Sequence, residues 1–174
     1  MIAERIAKPL ALRRTWLASG AALPTGSVHG YLLPGNPFLT TPAGQPLDVT
    51  EINPSFTWAA GAVVSTASDL DRFFRALLGG KLVPRRLLTV MTDSRPITAE
   101  TAYGLGLLRV STPCGPAYGH DGEIFGYTTL ALTSGDARRS VVLLATASHP
   151  SENAPDAIVN ALVSLAKKAL CARS

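Results

Sequence analysis

An antiparallel sheet packed with helices, an α+β fold, is what this sequence predicts, and three observations carry the expectation. Between Thr66 and Gly79 the apolar residues line one helical face. From Tyr103 to Thr146 they fall in strand-like runs joined by turn-forming residues. From Asp156 to Leu170 they gather into one more helix-length segment. A few helices, then a meander, then a covering helix is an α+β order.

In chain order, residues 1–20 read as a short amphipathic helix interrupted by Pro9 and followed by a polar turn. Residues 23–54 are dense in Pro and Gly, which bars long regular elements, so an extended loop region is expected there. Such a loop either walls a site or follows from an incomplete domain. A helix then starts at Thr66, a capping residue, with Asp69 three positions on. Leu70, Phe73, Phe74, Leu77 and Leu78 form its stripe, and Gly79-Gly80 stops it. Pro84 suits a first helical position, opening a second helix with Leu87, Leu88, Val90 and Met91 as core.

Strands are expected at Tyr103–Val110, Tyr127–Thr133 and Ser140–Thr146. Ser134-Gly135-Asp136-Ala137 reads as the hairpin joining the last two, and short connections imply antiparallel pairing. The segment after Asp156 is apolar nearly all round, so it is expected to lie buried across the sheet.

The bulk properties exclude several classes. A chain of 174 residues fits one domain and can bury about 70% of its unfolded surface. Hydrophobic residues make up 47% and charged residues 16%, a globular balance. No apolar run reaches the ~20 residues of a membrane helix, and the N-terminus lacks a signal-peptide core, so a cytoplasmic location is the default expectation. The net charge of +4 is scattered, with Arg13-Arg14, Arg85-Arg86 and Arg138-Arg139 far apart, which argues against nucleic-acid binding. His29, His120 and His149 have no zinc-like spacing, so neither a metal nor another cofactor is expected. The two cysteines, Cys114 and Cys171, would either stay separate thiols or close a long loop.

The most informative stretch is Ala117-Tyr118-Gly119-His120-Asp121-Gly122-Glu123-Ile124-Phe125-Gly126-Tyr127. It places an imidazole just ahead of a strand and a glycine two residues on, where a ligand can lie against bare backbone. A lone histidine at a strand start is more often structural than catalytic, and its surroundings decide.

Those surroundings are Trp58-Ala59-Ala60-Gly61, Ser65-Thr66-Ala67-Ser68-Asp69-Leu70, Tyr103-Gly104-Leu105-Gly106-Leu107 and His120-Asp121-Gly122. With Ile6-Ala7-Lys8-Pro9-Leu10 and His29-Gly30-Tyr31, they resemble the C-terminal portion of penicillin-recognising serine hydrolases. That group includes class C-type β-lactamases and D-alanyl-D-alanine carboxypeptidases, most closely the streptomycete type. The resemblance covers nearly the whole chain and implies one incomplete domain over residues 1–174. It implies acyl-enzyme chemistry on D-Ala-D-Ala peptides, β-lactams or related esters and amides, with a Ser-x-x-Lys nucleophile and a Tyr-x-Asn relay completing the site.

On that resemblance His120 is catalytic, joining the hydrogen-bond network near the nucleophile. Gly122 keeps the strand edge clear for substrate, the Glu123 amide completes an oxyanion hole, and Trp58 walls the cleft. Cys114 and Cys171 match cysteines that form a disulfide. Relatives are secreted or extracytoplasmic. Two departures stand out: Asp121 replaces a threonine, and Glu123 replaces a hydroxyl residue that helps hold the substrate carboxylate. Two acids there disfavour anionic substrates, unless Arg109 or another cation compensates.

Order is the second issue. The patterns Ser164-Leu165-Ala166-Lys167 and Ser151-Glu152-Asn153 follow His120 instead of preceding it, and Ser164 falls inside the final helix. They are read as structural, so the chain is expected to be inactive alone, with a small-molecule or peptide substrate only when an N-terminal part completes it. The alternative is a non-catalytic module that binds peptidoglycan peptides or a protein. No oligomeric state is implied.

Overall fold

A computed structural model describes residues 2–35, 44–148 and 157–172. His149, Ser151-Glu152-Asn153, Asp156 and part of the Pro/Gly-rich region lie outside the described residues. The expected N-terminal helix is a single π-helical turn, Ala3–Ala7, and the chain then enters a short strand β1 (Trp16–Leu17) that sequence reading missed. Within the Pro/Gly-rich region run β2 (Tyr31–Leu32) and β3 (Leu47–Asp48). A 3-10 turn, Pro54–Ala60, leads to β4 (Val63–Val64), which pairs with β1.

Helix α1 (Ala67–Leu78) begins as its sequence dictates, with Thr66 Oγ1 accepting the Asp69 amide at 3.3 Å. The Asp69 carboxylate does a different job from the expected capping one. It is buried and accepts the Arg14 amide and the Thr15 hydroxyl, each at 2.8 Å, tying the N-terminal segment to the helix. At the other end Gly80 takes φ +74°, and the Gly80 and Lys81 amides bond back to Leu77 and Ala76. Few residues but glycine adopt that φ cheaply, so the helix stops there. Helix α2 (Arg85–Thr92) has Pro84 as its cap residue. Leu88 and Met91 pack on the core, while Leu87 and Val90 are exposed, because this short helix meets the body of the protein along one edge.

Strand β5 (Arg95–Pro96) opens the main sheet, followed by β6 (Thr101–Tyr103) and β7 (Leu108–Thr112). The single strand expected over Tyr103–Val110 is therefore a hairpin. Gly106 turns at φ +72°, and a Cβ on Gly104 would fall 2.1 Å from the Met91 carbonyl oxygen. Next comes β8 (Gly115–Ile124), ten residues long with His120 inside it, where sequence reading had placed the histidine ahead of a strand. Then follow β9 (Tyr127–Ser134), β10 (Ser140–Ala145) and a short β11 (Ala147–Ser148). The sheet order is β10-β9-β8-β7-β6-β5, antiparallel throughout, so the three expected strands belong to a sheet of six.

The final helix α3 (Ala157–Cys171) covers one side of this sheet. Ala166 and Leu170 pack against Val110, Ala117, Leu130 and Leu132. Only that face is buried; Leu165 points to solvent, correcting the expectation of all-round burial. On the other side Phe74, Leu77 and Leu78 of α1 pack against Leu107 and Ala131, with Tyr118 and Val142 beside them. Cys114, in the turn between β7 and β8, is disulfide-bonded to Cys171 at the end of α3, with Cα atoms 5.5 Å apart.

The tip of the β8–β9 hairpin is held from behind. The Gly126 amide donates to the buried Ser148 hydroxyl at 2.7 Å, and Tyr127 donates its hydroxyl to the Val28 carbonyl at 3.0 Å. Gly126 and Gly30 meet backbone to backbone: a Cβ on Gly126 would come within 2.8 Å of the Gly30 carbonyl carbon. Strand β11 pairs in parallel with β2 and completes the link.

Candidate active site

Alternation along β8 sets the geometry. Ala117 packs under α3 and Tyr118 against the α1 cluster, so His120 and Gly122 share the parity of Tyr118. Asp121 and Glu123 share that of Ala117. Gly119 is required by packing, since a Cβ there would lie 1.8 Å from the Ala131 carbonyl oxygen. Gly122 is not: the nearest atom to a Cβ would be 4.0 Å away.

Pairing with β7 ends at Leu108↔Gly119, whereas pairing with β9 continues to Ile124↔Tyr127. From His120 onward, β8 thus has a strand on one side only among the described residues. A strand edge of this kind is a template for a ligand that pairs with main chain.

The His120 ring is half-exposed and held at both nitrogens. Nε2 lies 2.7 Å from the Tyr103 hydroxyl, with the two rings edge to face, 5.6 Å between centroids and 83° between planes. Nδ1 contacts the Asp121 backbone carbonyl and stands 3.4 Å from the Asp121 carboxylate. The Asp121 side chain therefore curls round the strand to the imidazole. From sequence Tyr103 is a strand residue and part of the run that carries the resemblance, with no role in the site. No short-range signal marks it, because it reaches His120 across the row Tyr103↔Leu108↔Gly119, which exists only once the hairpins have formed.

Glu123 is exposed on the strand, and Arg109 directs its guanidinium to the Ser111 hydroxyl at 3.4 Å. Trp58 sits in the Pro54–Ala60 turn, 71% exposed, at φ 46° and ψ −122°, a backbone conformation that bulky residues rarely adopt. It makes no ring contact with His120 among the described residues. Its neighbour Phe56 stacks on Phe125 at the β8–β9 tip, with centroids 6.5 Å apart.

A cavity of about 640 Å³ opens beyond that tip, lined by Trp16, Val63, Ser65, Phe125, Thr129 and Leu144 among others; His120 does not line it. Ser164 is exposed on α3, and Lys167 bonds Glu100 at 2.5 Å. Among the described residues no cluster of His, Cys, Asp or Glu has the makings of a metal site, and no helix is long and apolar enough to cross a membrane.

These features have counterparts in known proteins. Residues 1–165 match the Beta-lactamase family. A D-stereospecific amidohydrolase from Streptomyces sp. superposes with a TM-score of 0.80 at 31% identity, over 99% of this chain and 48% of its own. The D-amino acid amidase of Ochrobactrum anthropi SV3, in complex with L-phenylalanine amide, gives 0.72 at 26% identity, over 88% and 44%. A penicillin binding protein from Bacillus halodurans shares the fold, with a TM-score of 0.67 at 14% identity over 94% and 48%. The chain thus spans about half the length of the solved structures it matches. With a family match over nearly all its residues, the chain belongs to the Beta-lactamase family.

Proposed function

We propose that this chain forms the sheet-side half of a serine hydrolase that works through an acyl-enzyme, with D-amino acid amides or related neutral amides and esters as substrates. The observation that carries the reading is the stretch of β8 beyond His120, which among the described residues pairs with β9 but no longer with β7, with Gly122 bare although packing does not demand a glycine there. A substrate laid along that edge would pair with main chain beside Gly122, where no side chain stands in its way. Asp121 and Glu123 disfavour a substrate carboxylate and favour the α-ammonium of an amino acid amide. The D-stereospecific amidohydrolase and D-amino acid amidase relatives support that substrate class.

The nucleophile and its base come from outside the 174 residues. Ser164 faces solvent on α3, and Lys167 is engaged by Glu100, so that pair is not taken as the catalytic one. The Cys114–Cys171 bond supports an oxidising, extracytoplasmic setting.

Fluorescent penicillin and D-phenylalanine amide test the reading. The isolated chain is expected to take no covalent label, while D-phenylalanine amide shifts amide resonances between Gly122 and Tyr127. Covalent labelling that disappears in Ser164→Ala would overturn it. The second reading, a non-catalytic binding module, draws on the exposed Trp58 and Phe56. Mixing with the N-terminal half of the Streptomyces relative separates the two, since only the hydrolase half would regain amide hydrolysis.

A further inference from the structure

The contacts of His120 specify its hydrogens. Nδ1 faces two oxygens of Asp121, a backbone carbonyl and a carboxylate, and neither of these has a proton to donate. Nδ1 must therefore carry the hydrogen. In the uncharged ring Nε2 is then left as an acceptor, and the group placed to donate to it is the Tyr103 hydroxyl at 2.7 Å. The perpendicular ring packing holds the phenol in the orientation this bond needs.

We infer that Tyr103 and Asp121 lock His120 as the Nδ1–H tautomer, so that the phenolic oxygen of Tyr103, rather than the ring nitrogen, is the acceptor offered to a ligand. The Nε2 lone pair is already occupied, so His120 takes a proton from an incoming group only by way of Tyr103. The transfer balances: the hydroxyl hydrogen of Tyr103 passes to Nε2, the other hydrogen stays on Nδ1 and bonded to Asp121, and the phenol oxygen receives the proton of the incoming hydroxyl or ammonium. The matching ligand group is a hydrogen-bond donor. The tautomer belongs to the folded chain whether or not it supports turnover. Its importance for catalysis rests on the hydrolase reading.

Nitrogen-15 NMR of histidine-labelled full chain, at a pH well above the ordinary histidine value of about 6.5, reads the tautomer directly. Wild type should show a protonated Nδ1 and an unprotonated, hydrogen-bonded Nε2. A protonated Nε2, or the averaged shifts of an unconstrained imidazole, would overturn the assignment. Tyr103→Phe keeps the ring packing but removes the donor, and should move Nε2 toward its unbonded shift and let the tautomers mix. Unchanged shifts in a folded Tyr103→Phe chain would remove Tyr103 from the arrangement. If that variant does not fold, a cross-peak between the Tyr103 hydroxyl proton and Nε2 in wild type decides the matter: its presence supports the bond and its absence refutes it. Failure here would leave the penicillin-labelling result untouched, so the two readings fail separately.

Discussion

Opening the Cys114–Cys171 disulfide should destabilise the protein without moving α3. The bridge spans a sequence separation of 57 residues. In the chain-entropy account a loop of that length restricts the unfolded chain by about 4 kcal/mol at 25 °C. The native ends are held by other bonds as well: Arg139 donates one guanidinium nitrogen to the Leu170 carbonyl at 3.0 Å and another to the Cys114 carbonyl at 3.4 Å. Cutting the covalent link should therefore leave the folded packing in place and act on the unfolded state. For a domain of this size the loss corresponds to a fall in Tm of roughly 8–16 °C. Urea unfolding of the oxidised chain against Cys114→Ser/Cys171→Ser measures it, and the double variant should also show a larger m, because its unfolded chain exposes more surface. A loss under about 1 kcal/mol with m unchanged would refute the unfolded-state argument.

Three further outcomes follow from the packing and the charges. Gly119→Ala drives a methyl into the Ala131 carbonyl and should cost about 1–3 kcal/mol or more in urea unfolding; a wild-type midpoint would contradict the β8–β9 register. Thr66→Ala removes the cap of α1 and should lower stability by about 1 kcal/mol in a thermal melt. Asp48 is held at about 2 rather than 3.8 by the Thr50 hydroxyl, then the Thr50 amide, then His29. A depressed native pKa favours the fold above the unfolded value and ceases to do so as pH falls through the native one. Wild type should therefore exceed Asp48→Asn in stability at neutral pH, the gap closing between about pH 4 and pH 2; a gap that persists below pH 2 would show that the charge is not its source.

What the sequence disclosed, and what it concealed, divides along the range of the interactions. Helix α1 was readable to its ends because Thr66, its apolar stripe and Gly80 act within a few residues. The hairpin joining β9 and β10 was readable for the same reason: its turn residues satisfy one another, with Ser134 and the Arg138 amide bonded to Asp136. Strand β8 was harder. Its first half, Gly115-Pro116-Ala117-Tyr118-Gly119, lacks the alternation of a strand, and it is made one by neighbours on both sides. The split of Tyr103–Val110 into two strands depends on how closely Gly104 approaches Met91, which no local pattern encodes. His120 could be singled out by type and by resemblance, but its partner Tyr103 arrives through two hairpins.

The anchoring of the β8–β9 tip has a consequence for how the molecule is assembled. Tyr127 reaches Val28 across 99 residues, and Gly126 depends on Ser148, 22 residues further along. Contacts that distant are entropically late, since intervening loops must close before they reward the chain. The hairpin itself can form early from its own turn, yet its tip acquires a fixed position only after Ser148 has left the ribosome and the loop around Gly30 has come back to meet it. The open edge beside His120 is thus one of the last surfaces to take shape, and a nascent chain shorter than residue 148 would display the strand without the site.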